Sequence, residues 1–181
     1  MSEAQILLER AFGALDLPAK WLTPLCETCE TYEINNRNRV AAFLAQLLHE
    51  SGHFKWVKEI WGPTPAQRRY EGRKDLGNII AGDGQRYRGR GLIQVTGRAN
   101  YRSATQRLRQ RFPDCPDFEV DPKLLEEPRW AALSAGDYWH HNDLNELADK
   151  QMFTSITKRI NGGTNGLLER KRIWNQLLDV L

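Results

Sequence analysis

The chain has 181 residues, with 26 lysines and arginines against 23 aspartates and glutamates and a net charge of +3. This length allows one domain, or one domain with two lobes, to bury a core without disulfides. No apolar run is long enough to cross a membrane, and an odd number of cysteines, three, argues against a disulfide framework. The positive charge favours an acidic polymer as partner: nucleic acid, an anionic membrane face or a carboxylated cell-wall glycan.

Residues 1–5 carry neither the basic nor the apolar segment of a secretory signal. We therefore expect the chain to be made in the cytoplasm, to stay there unless it is released, and to keep its thiols reduced. Cys26 and Cys29 form a Cys-x-x-Cys. The surrounding sequence lacks both the strand-to-helix context of a redox motif and the second pair of a zinc ribbon, so half-buried thiols are expected.

Helix signals dominate the chain. A first helix is predicted near residues 3–15 and a second from about residue 39 to residue 50. Residues 51–91 are rich in glycine and proline and predict a long ordered loop region, which usually carries function. Further helices are predicted over residues 101–111, from residue 122, again from residue 128, over residues 152–160 and over residues 167–181.

The second predicted helix has a glutamate, Glu50, at its C-terminal end. Apolar residues recur at three- and four-residue steps from Val40 to Leu48, and Glu50 continues the same face. Its carboxyl is expected to be partly desolvated, which raises a carboxyl pKa above the ordinary ~4.3 and suits a general acid. A solvated glutamate in a last helical turn is the alternative that this stretch leaves open.

The same stretch is a literal match to H-E-x-x-H, the zinc motif of metalloproteases, through His49, Glu50 and His53. A zinc site requires both histidines on one uninterrupted helix, and Gly52 lies between them. We therefore expect no metal here and no cofactor elsewhere. His49 is expected to orient a neighbouring side chain or to cap the helix end.

Three stretches occur in an order and spacing that resemble one known family. Residues 43–52 read FLAQLLHESG, residues 86–101 read RYRGRGLIQVTGRANY and residues 160–163 read INGG. They resemble the family 19 chitinases and the related phage endolysins, over residues 39–174. Residues 61–67 and 144–149 resemble the phage and prophage branch rather than the plant enzymes.

The resemblance implies a mainly α, two-lobed lysozyme-like fold with a substrate cleft between the lobes. It implies a single catalytic domain over residues 1–181, with no separate wall-binding domain. The implied function is that of an endolysin, which hydrolyses β-1,4 bonds of peptidoglycan with inversion and lyses the host cell. A chitinase acting on chitin oligomers is the alternative. Inversion requires two carboxyl groups about 6.5–9.5 Å apart.

The resemblance also sets expectations for partners and location. Bacterial peptidoglycan strands are the expected partner of a monomer, without nucleic acid and without stable membrane insertion. The expected location is the bacterial host cytoplasm, with action on the wall after release.

The catalytic residues follow from the resemblance. Glu50 matches the family's acid. Glu59, nine residues on, is favoured as the base, although an exposed carboxylate paired with Lys58 or Lys55 is its ordinary alternative. The other acids of the same loop region that remain open as the base are Glu71, Asp75 and Asp83.

Other residues match positions that hold water or sugar. Thr96 matches a hydroxyl that helps hold the attacking water, with helix capping as the alternative. Amides that match sugar-binding positions are Gln94, Asn100 and Asn161, the last of which also suits a helix end. Aromatic side chains that are candidates for stacking on sugar rings are Trp61, Tyr70 and Tyr87, with a place in the core as the ordinary alternative for each. Arginines expected to line the cleft and attract peptide-stem carboxylates are Arg86, Arg88 and Arg90.

The main rival from another class is a nucleic-acid-binding protein. The arginines between residues 86 and 111 would satisfy phosphate binding, which needs only positive charge and donors. No recognition helix or RNA-binding signature accompanies them, and the acidic and amide residues named above would then have no task.

Overall fold

The computed structural model describes residues 1–181 and is mainly helical, as predicted. The α-helices are α1 (Glu3–Leu15), α2 (Leu22–Thr31), α3 (Arg37–Glu50), α4 (Pro65–Arg68), α5 (Asp83–Arg86), α6 (Arg98–Arg111), α7 (Pro128–His141), α8 (Leu144–Asp149), α9 (Phe153–Asn161) and α10 (Leu167–Val180). Short 3-10 helices span Ala19–Trp21, Lys74–Leu76 and Pro122–Glu126. None of the helices combines the length and apolar character that crossing a membrane requires.

The chain divides into two compact units. The first, which we call the helical unit, comprises Met1–Lys55 and Ala135–Leu181. The second, the loop unit, comprises Trp56–Ser134, so the boundary falls within α7. The cleft expected from the family resemblance stays a prediction.

Helix α3 is the core of the helical unit. Asn36 caps its start, since the side chain accepts a hydrogen bond from the backbone N–H of Arg39. Every residue from Val40 to Leu48 is buried, so the helix is covered on all sides rather than along one stripe. Helix α10 packs along α3, and α1 packs against α2.

The loop unit contains α4, α5, α6, the first half of α7 and two short 3-10 helices, and little other regular structure. Two isolated antiparallel bridges join Arg90 to Lys58 and to Val95. Side chains satisfy backbone groups that a helix or sheet would otherwise pair; both carboxylate oxygens of Glu71, for example, accept amide hydrogens, from Gly82 (2.6 Å) and Gly84 (2.8 Å). The loop region predicted from glycine and proline is thus an ordered framework.

Most long helices lie close to their predicted bounds. The second predicted helix begins at Arg37, two residues early, and the arginine-rich helix begins at Arg98, three residues early. Helix α2 was not predicted, because Pro24 falls inside it; a proline is tolerated in a first turn, where its missing N–H leaves no partner unsatisfied. Cys26 and Cys29 lie on α2 as free thiols.

Candidate active site

Glu50 is the last residue of α3, and its side chain is 20% exposed. The predicted partial desolvation of this carboxyl is confirmed. What the sequence did not indicate is its partner: Oε1 accepts a hydrogen bond from Nη2 of Arg170 on α10, at 2.5 Å. This bond leaves Oε2 without a protein donor, so one carboxyl oxygen is fixed and the other is free.

Arg170 is itself held by buried polar groups. Its Nη1 donates to Oε1 of Gln46 at 2.6 Å, and the Gln46 amide donates to the hydroxyl of Thr157 at 2.8 Å. Arg170, Gln46 and Thr157 are all at most 2% exposed. Because a buried, fully bonded polar chain has few alternative arrangements, it fixes the direction in which Glu50 points.

The backbone turns sharply after Glu50. Gly52, His53 and Phe54 all have positive φ, of 57°, 61° and 63°. Two of these are not glycine, and the left-handed conformation costs them about 1–2 kcal/mol each. Phe54 is buried against Trp21, with ring centroids 5.5 Å apart, and this packing holds the turn in place.

This turn also rules out the zinc-protease arrangement. His53 lies beyond the end of α3 in the left-handed turn, so His49 and His53 do not share the one continuous helix that the motif requires. Nδ1 of His49 instead lies 3.1 Å from Oε2 of Glu169. Burial, and then the nearby Arg170 guanidinium, lower the pKa of the His49 imidazole.

Glu59 lies in the loop unit and is half-buried. Oε1 accepts hydrogen bonds from the Gln67 amide at 3.0 Å and from the Tyr70 hydroxyl at 3.4 Å. Oε2 accepts one from the backbone N–H of Gly89 at 3.1 Å. The three donors are neutral. Of the two lysines named as alternative partners, Lys58 contacts Glu126 instead, at 3.2 Å.

Gln67 is the organising residue around Glu59. Besides contacting Glu59, its amide donates to the carbonyl of Ile60 at 2.6 Å. Its carbonyl accepts from the backbone of Gly62 and Thr64, which completes a capping box at the start of α4. The short helix is thus tied directly to the carboxylate.

The other acids that could serve as the base are engaged elsewhere. Both oxygens of Glu71 accept backbone amides, as described above, and exposed Asp75 pairs with Arg73. Asp83 is 2% exposed and binds Arg98 through both oxygens, at 2.6 and 2.9 Å. That hydrogen-bonded pair with Arg98 lowers the pKa of the Asp83 carboxyl. Among these acids, Glu59 and Glu71 are held by neutral donors alone, Glu59 by two side chains and one peptide N–H and Glu71 by two peptide N–H groups.

Three predicted side chains meet at the Gly89 peptide. Its N–H binds Glu59, and a Cβ at this position would lie 2.6 Å from Oε1 of Gln94 and 3.3 Å from the hydroxyl of Thr96. Only glycine therefore leaves Gln94 and Thr96 where they are. The Thr96 hydroxyl donates to the Gln94 carbonyl at 2.9 Å, and Asn100 donates to the Thr96 carbonyl at 2.7 Å.

Thr96 does not cap a helix. The N-terminal cap of α6 is Gly97, and the side chain that binds the first turn is Asn78, whose Oδ1 accepts from the backbone N–H of Arg98 at 2.9 Å. The capping alternative for Thr96 is therefore wrong, and its role at the attacking water stays a prediction.

Comparisons with known proteins identify the family of this chain. No family model matches the chain. A Haemophilus influenzae protein described as a glycosyl hydrolase family 19 domain-containing protein is 33% identical over 170 residues, 79% of this chain and 80% of that protein. The chain belongs to glycosyl hydrolase family 19.

The other matches include proteins named as endochitinases or chitinases. An endochitinase of Arabidopsis thaliana is 34% identical over 127 residues, 70% of this chain but 40% of the plant protein. The structure of chitinase C from Streptomyces griseus HUT6037 matches 99% of this chain and 75% of its own, with a TM-score of 0.70 and 21% identity. The structure of the family 19 class IV chitinase from Zea mays matches 100% of this chain and 82% of its own, with a TM-score of 0.56 and 20% identity.

These matches establish the reaction class and the fold. The chain is a glycoside hydrolase of family 19 with the mainly helical, lysozyme-like fold of the chitinases. At 20–21% identity the solved structures show only the fold. The roles of individual residues therefore depend on the geometry of the site.

One aromatic prediction is wrong for this family 19 enzyme. Tyr87 is 1% exposed, donates from its hydroxyl to the carbonyl of Glu119 at 2.9 Å and packs edge-on against Tyr101. The guanidinium groups of Arg86 and Arg98 lie over its ring. A ring enclosed in this way is part of the loop unit's core and cannot stack on a sugar.

Trp61 and Tyr70 remain candidates for sugar stacking. Their ring centroids are 6.3 Å apart, both are half-buried, and the Tyr70 hydroxyl contacts Glu59. Burial, and then the charge of Glu59, raise the pKa of Tyr70, which keeps this hydroxyl protonated as a donor. Trp61 lies two residues after the candidate base in the sequence.

Asn161 is used within its own loop. It is the last residue of α9, before Gly162 with φ of 75°, as the predicted glycine cap requires. Its side chain donates to the carbonyl of Asn165 at 2.9 Å and accepts from the N–H of Gly163 at 3.1 Å. A contact from Asn161 to sugar stays a prediction.

The expectation that Arg90 attracts substrate carboxylates is wrong. Its side chain is 4% exposed, and its Nε donates to Glu126 at 2.8 Å. Its Nη1 donates to the carbonyl of Arg86 and to the hydroxyl of Tyr101. Arg88, in contrast, is half-buried and its guanidinium contacts no carboxylate.

Sequence reasoning missed the residues that position the two carboxylates. Arg170 lies 120 residues from Glu50, on a helix whose pattern predicts only packing. Gln67 had a usable signal, because Thr64 and Gln67 have the spacing of a capping box. Gly89 had none, since glycines are frequent throughout this loop region.

Proposed function

We propose that this family 19 enzyme is an endolysin of phage or prophage type, which hydrolyses β-1,4 bonds of bacterial peptidoglycan by single displacement. One observation supports the two-carboxylate mechanism above the others. Glu50 has one oxygen fixed by a buried arginine and one without a protein donor, whereas Glu59 is held by neutral donors alone. An oxygen without a protein donor can carry the proton that an acid delivers, and a carboxylate oriented by hydrogen bonds can accept a proton from water.

In the proposed reaction, Oε2 of Glu50 gives its proton to the glycosidic oxygen as the bond from that oxygen to the anomeric carbon breaks. Glu59 takes a proton from a water, whose oxygen bonds to the anomeric carbon from the opposite face. The Thr96 hydroxyl holds this water. The product carries the α configuration, and the two carboxyl groups return to their starting states by proton exchange with solvent.

Peptidoglycan is favoured over chitin by charge. Chitin is uncharged, whereas the peptide stems of peptidoglycan carry carboxylates. The chain has a net charge of +3, and Arg86 and Arg88 in the loop unit donate to backbone carbonyls and pair with no carboxylate. The resemblance of residues 61–67 and 144–149 to the phage branch supports the same substrate.

Chitin oligomers are the second candidate substrate. The specific observation in their favour is the likeness to proteins named as endochitinases and chitinases. A chitinase would use the same two carboxylates, so the substrate and not the mechanism separates the candidates.

The deciding experiment incubates the protein with purified peptidoglycan and, separately, with chitin hexamer. New reducing ends released faster from peptidoglycan, with the α anomer appearing first by proton NMR, are the expected result. Faster release from chitin would make the chain a chitinase. Peptide cleavage without new reducing ends, or a β product, would contradict the mechanism, and Glu50→Gln protein is the control for contaminating enzymes.

A further inference from the structure

A cavity of about 570 Å³ lies within the loop unit, between α5 and the segment that leads into Pro122–Glu126. Its lining is rich in cations: four arginines and one lysine against two aspartates. The residues that matter to the argument are Arg86, Arg88, Lys123, Ile80 and Val120. A cavity of this size holds a small peptide or a sugar residue.

Two of the five cations are neutralised by the protein itself. Arg98 pairs with Asp83, and Arg90 pairs with Glu126, so neither attracts a further anion strongly. The second aspartate of the lining, Asp121, accepts a hydrogen bond from the backbone N–H of Lys123 at 3.1 Å. It reduces the positive potential without removing it, because three cations face one carboxylate.

The remaining three cations have no carboxylate partner. Arg86 donates to the carbonyl of Val120 at 2.7 Å, Arg88 donates weakly to that of Gln85 at 3.4 Å, and Lys123 is in no ion pair. The Nε of Arg88 is buried without an acceptor. No protein carboxylate neutralises these three cations, so the cavity keeps an excess of positive charge that an anion would offset.

The rim of the same cavity is apolar. Ile80 is 57% exposed and Val120 is 70% exposed, although both are large aliphatic side chains. Cations below an aliphatic rim suit a ligand that has small alkyl groups next to a carboxylate. They suit a nucleic acid less well, since its phosphates are flanked by sugars and bases.

The cavity is connected to the candidate base through the backbone. Arg88 lines the cavity, and the next residue, Gly89, donates its N–H to Glu59. A ligand that binds Arg88 would therefore be held next in sequence to the peptide that orients the candidate base.

We propose that this cavity binds a carboxylate of the peptide stem that peptidoglycan carries on its glycan strand, with the alkyl groups of the stem against Ile80 and Val120. The inference rests on the proposed function and deepens it, because it names the part of the substrate that distinguishes peptidoglycan from chitin. Arg86, Arg88 and Lys123 hold the carboxylate by charge-assisted hydrogen bonds.

The kinetic test compares intact glycan strands with strands from which an amidase has removed the peptides. For the double variant R86Q/K123Q, we expect the ratio of kcat/KM on peptide-bearing over peptide-free strands to fall about tenfold, through KM. The matched control R69Q/K74Q removes the same charge from exposed residues of the loop unit outside the cavity, and should keep the wild-type ratio. An equal fall in both double variants would overturn the proposal, since it would indicate general charge attraction.

A binding test separates this proposal from the proposed function. Calorimetry measures the affinity of a synthetic stem peptide for the wild-type protein and for the single variant K123Q. The same measurement is made with the peptide whose carboxyls are amidated. Tighter binding of the free acid, weakened by K123Q, supports the cavity even if the enzyme hydrolyses chitin alone. Equal binding of both peptides, or no binding, overturns it, as does tighter binding of a single-stranded oligonucleotide that competes with the peptide.

Discussion

The two candidate carboxylates are held in opposite ways. Glu50 ends a buried helix, and a buried cation, Arg170, fixes one of its oxygens. Glu59 lies in irregular backbone and is held by an amide side chain, a phenol and a peptide N–H. The helical unit thus positions the candidate acid by charge, and the loop unit positions the candidate base by neutral hydrogen bonds.

This difference suggests how two glutamates in one protein can act as acid and as base. A cation at one oxygen directs the proton of an acid to the other oxygen, where the leaving group waits. Neutral donors orient a base without neutralising the charge that attracts the proton of water. The predictions below test whether each environment is needed for its own carboxylate.

The largest effect is expected for Glu50→Gln. The amide keeps the shape and can still accept from Arg170, but it removes the proton that the leaving oxygen requires. We expect kcat to fall by about 10³ or more, with the unfolding temperature within a few degrees of wild type. Hydrolysis within tenfold of wild type would show that another group supplies the proton.

Glu59→Gln should cost nearly as much, about 10²–10⁴ in kcat, because the base step is lost. The same measurement on Glu71→Gln, Asp75→Asn and Asp83→Asn should give smaller losses in kcat. Asp83→Asn should instead lower stability, since it leaves Arg98 without its buried partner. A larger fall in kcat for Glu71→Gln or Asp75→Asn would make that residue the base.

Arg170→Met should affect both stability and activity. It leaves Glu50 and Gln46 without their shared donor, at a cost of about 3 kcal/mol in the free energy of unfolding. In the double variant with Glu50→Gln, the cost should be clearly smaller than the sum of the two single changes. Additive losses in urea unfolding would mean that Arg170 only fills space.

Gly89→Ala should have a moderate effect on activity and little on stability. The added methyl group would lie 2.6 Å from Oε1 of Gln94, and this flexible side chain can move away. We expect kcat to fall about tenfold as Gln94 and Thr96 shift, with less than about 1 kcal/mol lost in stability. Gly13→Ala, where no atom lies within 4 Å of the new Cβ, is the matched control.

The smallest effect concerns acid stability of the loop unit. Hydrogen bonds from Arg102 and Arg98 lower the pKa of the Glu119 carboxyl from 4.5 to about 2. Because the folded pKa is below the unfolded one, this stabilisation is present above pH 4.5 and is lost as the pH falls towards 2. Arg102→Gln should reduce the difference in unfolding free energy between pH 6 and pH 3, measured in urea; an unchanged difference would contradict the assignment.

Local signals predicted the helices well and the site only in part. The apolar spacing that ends at Glu50 and the Asn-Gly-Gly after residue 160 are short-range patterns, and both were confirmed. Tyr87 was misjudged because an aromatic residue in a loop region has the same sequence signal whether it is buried or exposed. Arg170 and Gly89 could not be assigned, since their roles depend on partners 120 and 30 residues away.

The close approach of His49 to Gly166 constrains how this sequence can vary. Gly166 precedes α10 with φ of 69°, and a Cβ there would lie 2.4 Å from the imidazole ring. Homologues with a side chain at position 166 are therefore expected to carry a smaller residue than histidine at position 49. Position 49, next to the candidate acid, and position 166, at the start of the helix that carries Arg170, should therefore vary together among homologues.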